Sequence, residues 1–461
     1  MNDSKKWQCA VQWFVLLAVF LIYFSLSCFL PIIKAPDEVM RYDVARYIFE
    51  HHRLPAGYDE EIINELWGFS YAFTPYLPSA LAAGIMAIVS VFNDSMTALI
   101  IASRFVNVLA TTGCVGLGFI IGKKLFPKFE SRLLYGVFIG TLPQLVFLAA
   151  YLNNDVFAVF TSMLILLGWL YGKERRWDIK SCLFLGFAIS LCALTYYNAY
   201  AWILCSILYY FGTVMHDDGA RGNVGDNIGY DTHDGAIENK RKYAIKHGLI
   251  IVLTVLALTG WFFIRNAIIY DGDFLGINAQ KICGELHAID ELKPSNRPTW
   301  ANQGKTLWNM LTETEWISYS VKSFFACFGA LDIWVSAKYY VCYGIIILAA
   351  AAGFMYGCLK KRLKKENLLL YICCAVCTIT PVILSAYNSY ASDYQAQGRY
   401  FMPALPALMI YAAEGYNQLG GILSKKRWIV EVMAGALWLL CFIMIFVSVI
   451  VPQLYTGIFP K

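Results

Sequence analysis

The chain has 461 residues, 59% of them hydrophobic and 15% charged, with a mean hydropathy of +0.54. A soluble globular domain carries roughly a quarter charged residues, so this balance excludes one and points to an all-α polytopic membrane protein. The net charge of +5 is spread over short segments between apolar runs, which reads as membrane orientation and not as nucleic-acid binding.

The first apolar run, near residues 11–33, is longer than the core of a signal peptide and has no small-residue cleavage site. It is expected as a retained span. Residues 34–74 follow with eight acidic and four basic residues, and they contain PDEVMRYDVARYIFEHHRLP. Pro36 suits a first helical turn, and Asp37 and Glu38 stand where a helix dipole favours anions. Met40, Val44, Tyr47 and Ile48 recur at helical spacing, so an interfacial helix is expected that stops before Pro55. Asp37 and Arg41 are one turn apart on it. On this stretch alone, the plain reading of the two carboxylates is a helix cap.

Five Lys/Arg clusters fix the expected orientation: KKLFPK (123–128), KERRWDIK (173–180), NKRKYAIK (239–246), LKKRLKK (359–365) and SKKR (424–427). The positive-inside rule puts all five in the cytoplasm and the acidic loop outside. The stretch 97–122 then has to start outside, so the apolar segment 75–92 cannot cross. It is expected as a second interfacial or re-entrant helix in an outer loop of residues 34–97. The remaining spans alternate near 11–33, 98–122, 132–152, 154–172, 181–197, 199–215, 246–266, 338–358, 367–388, 400–418 and 428–451. That makes about eleven crossings, with the N-terminus inside. The outer segments are 34–97, the turns near 152–155 and 197–199, the long 267–337 and the short 389–399. The Gly/Asp-rich segment 216–240 reads as a disordered cytoplasmic loop. No internal repeat is evident, which counts against a repeat-built transporter.

On this topology the notable polar residues gather on one face. Asp155 opens a span after Asn153 and Asn154, and an acidic residue there is costly unless it is paired or faces water. Arg265, in GWFFIRNAIIYDGDF, and Arg399, in NSYASDYQAQGRYFMPALPAL, lie at outer membrane edges. Carboxylates can deprotonate a hydroxyl or hold a divalent cation, and arginines can grip a phosphate with paired hydrogen bonds. The set suits a lipid phosphate whose head group sits at the membrane surface. Tyr58, Trp67, Phe69, Tyr71, Trp300, Trp308 and Trp316 could present faces to sugar rings or form an interfacial belt. Most of the fourteen cysteines sit in apolar runs, but Cys283 and Cys327 both fall in the long outer loop, so whether they pair is open.

PDEVMRYDVARYIFEHHRLP resembles the first outer-loop motif of the GT-C glycosyltransferases, especially the aminoarabinose transferases and their family 39 relatives, which include protein O-mannosyltransferases. NNDVFAVF is similar to their second acidic position, and RFVNVLATTGCVGLGFIIGKKLFP resembles a span that starts with Arg and ends in a basic turn. QGRYFMPALPAL, with Arg399 and Tyr400, resembles a late Gly-Arg-Tyr-x-x-Pro element. Thr74 stands where the aminoarabinose enzymes have a Lys. The resemblance covers most of 10–270 and then 389–408.

It implies a GT-C module over 1–270, a long extracytoplasmic loop over 271–337 and C-terminal spans over 338–461. It also implies transfer of a sugar from a polyprenyl-phosphate carrier to a glycan, lipid or protein hydroxyl at the outer face of a cell membrane. Asp37 would be the base. Asp155 would assist, or would share a divalent cation (Mg or Mn) with Asp37, and Glu38 would be a catalytic carboxylate, a supporting partner of Asp37, or a cap. Arg41, Arg265, Arg399 and Tyr400 would bind the phosphate. The competing class is a transporter or lipid flippase, which would want ionisable residues near mid-membrane.

Overall fold

The computed structural model describes residues 3–216, 233–422 and 427–455. In chain order, α1 (Asp3–Phe29) leads into α2 (Glu38–His51) and α3 (Leu77–Ser90), then α4 (Met96–Leu125). Next come α5 (Phe129–Gly140), α6 (Pro143–Ala149), α7 (Asp155–Glu174), α8 (Ile179–Ala193), α9 (Tyr200–His216) and α10 (His233–Ile269). The segment expected outside carries α11 (Ile277–His287), α12 (Leu307–Glu313) and α13 (Trp316–Phe325), followed by α14 (Ala337–Leu359), α15 (Leu368–Ala391), α16 (Leu405–Gly420) and α17 (Arg427–Ile445). Among the described residues the fold is all-α apart from one antiparallel ribbon, β1 (Cys327–Phe328) with β2 (Ile333–Trp334), in which Cys327 faces Trp334.

Among the described residues, eight helices are long and apolar enough to cross a membrane, and the bent pair α5–α6 makes nine. The run expected as one straight span at 132–152 is this pair, bent by 58°. Pro143 opens α6 and has no N–H to donate back to the preceding turn, and the break falls there. Helices α8 and α16, at 15 and 16 residues, stand where the other two expected crossings fall but are shorter than a bare span. The short apolar α3 has 14 residues and packs on α2 and α4, in keeping with a non-crossing segment. Of the segment expected as a disordered loop, residues 217–232 lie outside the described residues, and from His233 the chain is already helical.

Local chemistry sets the helix ends. Ser95 caps α4 by accepting from the Ala98 N–H, and Lys123 and Lys124 close it where the dipole favours cations. The core sits around α4, α6 and α7, where side chains from Leu145 to Val159 are almost all buried. Two indoles lock the neighbours onto it. Trp169 Nε1 donates to Ser206 Oγ at 2.9 Å, joining α7 to α9, and Trp202 Nε1 donates to the Pro403 carbonyl at 2.9 Å. The second bond ties α9 to the segment that carries Arg399.

Candidate active site

Asp37 occupies the cap position of α2, yet its side chain makes no capping hydrogen bond. Its backbone is left-handed, with φ 62° and ψ 0°. That conformation is uncommon outside glycine, although Asp tolerates it better than most residues. It turns the carboxylate away from the helix end and towards Arg399, whose Nη2 lies 2.6 Å from Asp37 Oδ2. The Asp37 side chain stays 30% exposed, whereas Arg399 is 9% exposed.

Arg399 is held by its own neighbour. The Gly398 N–H donates to Ser323 Oγ at 2.8 Å, and a Cβ at Gly398 would collide with the Phe324 backbone nitrogen. Only glycine lets this segment lie so close to α13. Arg399 also donates to the Tyr400 hydroxyl at 3.3 Å.

Asp155 is the first residue of α7. It is buried, and its Oδ1 has no hydrogen-bond partner. The preceding Asn154 spends its amide on the carbonyls of Pro75 (3.2 Å) and Thr195 (2.8 Å), which ties the first outer loop to the turn after α8. Its Oδ1 is also left unpartnered.

These groups surround a cavity of about 310 Å³. Its walls come from the start of α2 (Asp37, Arg41), the loop before α3 (Tyr71, Thr74, Pro75), the start of α7, and the turn Thr195–Asn198. Gln280 of α11, Leu384, Ser385 and Asn388 of α15, and the pair Arg399–Tyr400 complete it. All five segments expected on one side of the membrane, or the helix ends joined to them, thus contribute. Five buried polar atoms on residues of this cavity lack a partner: Arg41 Nε, Asn154 Oδ1, Asp155 Oδ1, Ser385 Oγ and Arg399 Nε. Buried polar groups are nearly always satisfied, so a cluster of exceptions around one space marks a place for a polar ligand.

The charges balance: two carboxylates face two guanidiniums. Burial alone would raise the Asp37 carboxyl, but Arg399, Arg41 and the Tyr71 hydroxyl together hold it below the ordinary carboxylate value. Burial, reinforced by the Asp37 charge, pushes Tyr71 far above the usual phenol range, so it keeps its proton. Arg41 lies flat over the Tyr71 ring, 4.2 Å from its centroid. Among the described residues no carboxylate lies within ion-pair distance of it, so the expected one-turn contact with Asp37 is replaced by stacking.

Several expected site residues lie elsewhere. Glu38 is fully buried outside the cavity and is bound by Arg104. The reason is geometric, since the left-handed residue before it sends neighbouring side chains in different directions. Arg265 donates to the carbonyls of Leu54 (3.2 Å) and Pro55 (2.8 Å) and does not reach the cavity. Of the seven outer aromatics only Tyr71 lines it. Tyr58 packs on Phe73 and Tyr270, Trp67 lies under Arg297, and Trp316 donates to Ser389. Cys283 and Cys327 are both free and buried. Among the described residues, no group of three or more His, Cys, Asp or Glu is placed to hold a metal ion.

Thr195, Gln280 and Ser385 were not singled out from sequence, and Arg104 entered only as the Arg that starts the span resembling the family's. Arg104 had a readable signal, because a charged residue inside an apolar helix demands a buried partner. The others are ordinary polar residues that only the fold brings together.

The fold has counterparts among solved membrane-enzyme structures. It is similar to the archaeal oligosaccharyltransferase AglB from Archaeoglobus fulgidus in complex with an inhibitory peptide and a dolichol-phosphate. The TM-score is 0.53 at 13% identity, over 100% of this chain and 57% of that one. The apo form of the Archaeoglobus fulgidus oligosaccharyltransferase gives 0.49 at 14% identity, over 95% and 55%. The chain therefore spans just over half the length of these enzymes. No curated protein matches it in sequence. Residues 44–408 match the family described as "Predicted membrane protein (DUF2142)", and the chain belongs to that family.

Proposed function

We propose that this protein is a glycosyltransferase that moves a sugar from a polyprenyl-phosphate carrier to an acceptor hydroxyl at the extracytoplasmic face of a cell membrane, modifying an envelope glycan or glycolipid. The observation that carries this reading is the single cavity in which Asp37, Asp155, Arg41 and Arg399 meet, with unpartnered donor and acceptor atoms on its walls. The free guanidinium nitrogens suit phosphate oxygens, and the unpartnered oxygens of Asn154, Asp155 and Ser385 suit sugar hydroxyls. The solved relative with the 0.53 score holds a dolichol-phosphate, a lipid of the proposed donor class.

In this reading the acceptor hydroxyl donates its proton to Asp37 as its oxygen attacks the anomeric carbon. The bond from that carbon to the phosphate oxygen breaks, and the polyprenyl phosphate leaves with the electron pair. Arg399 and Arg41 meet the charge that develops on it. General-base help of this kind is worth roughly 10²–10⁴-fold. If a divalent cation takes part, Asp155 and Asn154 offer free oxygens and the donor phosphate supplies others, because Asp37 is already engaged by Arg399. Such an ion would add charge stabilisation at the leaving phosphate.

The test is transfer of radiolabel from a panel of polyprenyl-phosphate sugars by purified protein in lipid, with membrane extract as acceptor. Transfer from at least one donor is expected. No transfer from any donor, together with protein-dependent flux of a lipid-linked sugar across the bilayer, would replace this reading with a flippase.

A further inference from the structure

Arg104 is fully buried on α4, and its guanidinium reaches Glu38, Ser27 and Leu30 among its partners. Nε and Nη2 grip the two oxygens of Glu38 at 2.7 and 2.6 Å, and Nη1 donates to the carbonyls of Ser27 and Leu30 at 2.8 Å each. Glu38 Oε1 also accepts from the Leu152 N–H at 3.1 Å. One turn further along α4, Asn107 donates to the Asn153 carbonyl at 3.1 Å, and Asn153 Oδ1 accepts from the Val156 N–H at 3.1 Å. One face of α4 therefore holds the residue after Asp37 and the residues just before Asp155.

We propose that Glu38 and Arg104 form a positioning pair that fixes the Asp37 and Asp155 carboxylates relative to each other across the cavity. The proposal rests on the transfer reading for its catalytic consequence, but its geometry can be tested without it. A buried ion pair is a poor way to gain stability, because desolvation offsets most of the attraction. Its use here lies in direction. A bidentate guanidinium–carboxylate contact fixes orientation as well as distance. Pinning Glu38 next to a left-handed Asp37 leaves that carboxylate little freedom to turn. The carbonyls at the end of α1 hold the guanidinium from the other side, so the pair cannot rotate as a unit. Neither residue touches the cavity, so their effect must pass through their neighbours.

The experiment compares wild type with Glu38→Gln, Arg104→Lys and the neutral pair Glu38→Gln/Arg104→Gln, all well below their unfolding temperatures. Two readouts are taken: kcat and donor KM, and amide hydrogen exchange by peptide. Positioning predicts a kcat at least thirtyfold lower in Glu38→Gln with donor KM within threefold, and little further loss when Asp37→Asn is added. It also predicts faster exchange confined to peptides covering 37–42 and 150–156. If Glu38→Gln does not fold, the neutral pair, which leaves no unpaired charge, carries the same test. Wild-type kcat per folded molecule in these variants, or exchange raised evenly through α4 and α7, would overturn the proposal. Local exchange changes in a protein that transfers no sugar would support the clamp and overturn the transfer reading alone.

Discussion

The Arg399 guanidinium closes on the Asp37 carboxylate at 2.6 Å, joining the first outer loop to the segment after α15. The proposed base is thus stored in an ion pair with a proposed phosphate ligand. In the proposed reaction the donor phosphate would compete with Asp37 for the same guanidinium, and its arrival would free the carboxylate to take a proton.

That coupling has a pH signature. Burial raises and Arg399 more than offsets, so the Asp37 carboxyl in the free enzyme titrates below its ordinary value. The acid limb of kcat/KM, which reports the free enzyme, should therefore lie below about 4, and the limb of kcat, with donor bound, should lie higher. For stability the sign is that of a depressed acid. The contribution is complete above the unfolded value near about 3.9 and is lost as pH falls through the lower folded value. Log kcat/KM against pH checks this, and a limb well above the carboxylate range would assign the proton transfer to another group.

Arg41→Ala should weaken donor binding. Its guanidinium is stacked on Tyr71 and faces the cavity with Nε unpartnered, so it has a hydrogen bond to give to the phosphate. Loss of a charge-assisted bond costs about 1.5–3 kcal/mol, so donor KM should rise roughly 10–100-fold with little change in unfolding temperature. Steady-state kinetics with the same lipid donor measure it. An unchanged KM would return Arg41 to a packing role.

Arg265→Ala should do the reverse. It removes two bonds to the Leu54 and Pro55 carbonyls and leaves the cavity intact. Stability should fall by about 1–3 kcal/mol while kcat and KM of the folded fraction stay within about twofold. Thermal unfolding beside kinetics separates the two effects.

Cys283 packs with Phe73 and Tyr270, and Cys327 lies in the ribbon opposite Trp334, so both should be free thiols. Alkylation after unfolding without reductant should modify both, as read by peptide mass. A linked peptide pair would contradict the fold of the long outer segment.

Much of this was legible in the residues. The carboxylate at Asp37, the acidic start of α7 and Arg399 carry strong signals, because charge at the edge of an apolar span has to be paid for by a partner or by water. Glu38 was expected beside Asp37 as a catalytic carboxylate, a supporting partner or a cap; it lies outside the cavity on Arg104, because a backbone φ of 62° at Asp37 separates the two side chains. Arg104 was noted as the start of a family-like span, but nothing in that span names its partner, which lies on α2. The bend at Pro143 could not be read from the proline alone, since α15 runs through Pro381 without a break. Nor could Ser385 and Asn388, since they matter only once α15 is packed beside the 195–198 turn.

The most direct measurement is the single-turnover rate of Asp37→Asn against wild type, with the best donor of the panel at saturation and folding matched by monodisperse elution. Asn keeps the size and a hydrogen bond to Arg399 but cannot take the proton. The account predicts a fall of about 10²–10⁴-fold with donor affinity retained. A rate equal to wild type would contradict it and leave Asp37 as a structural partner of Arg399.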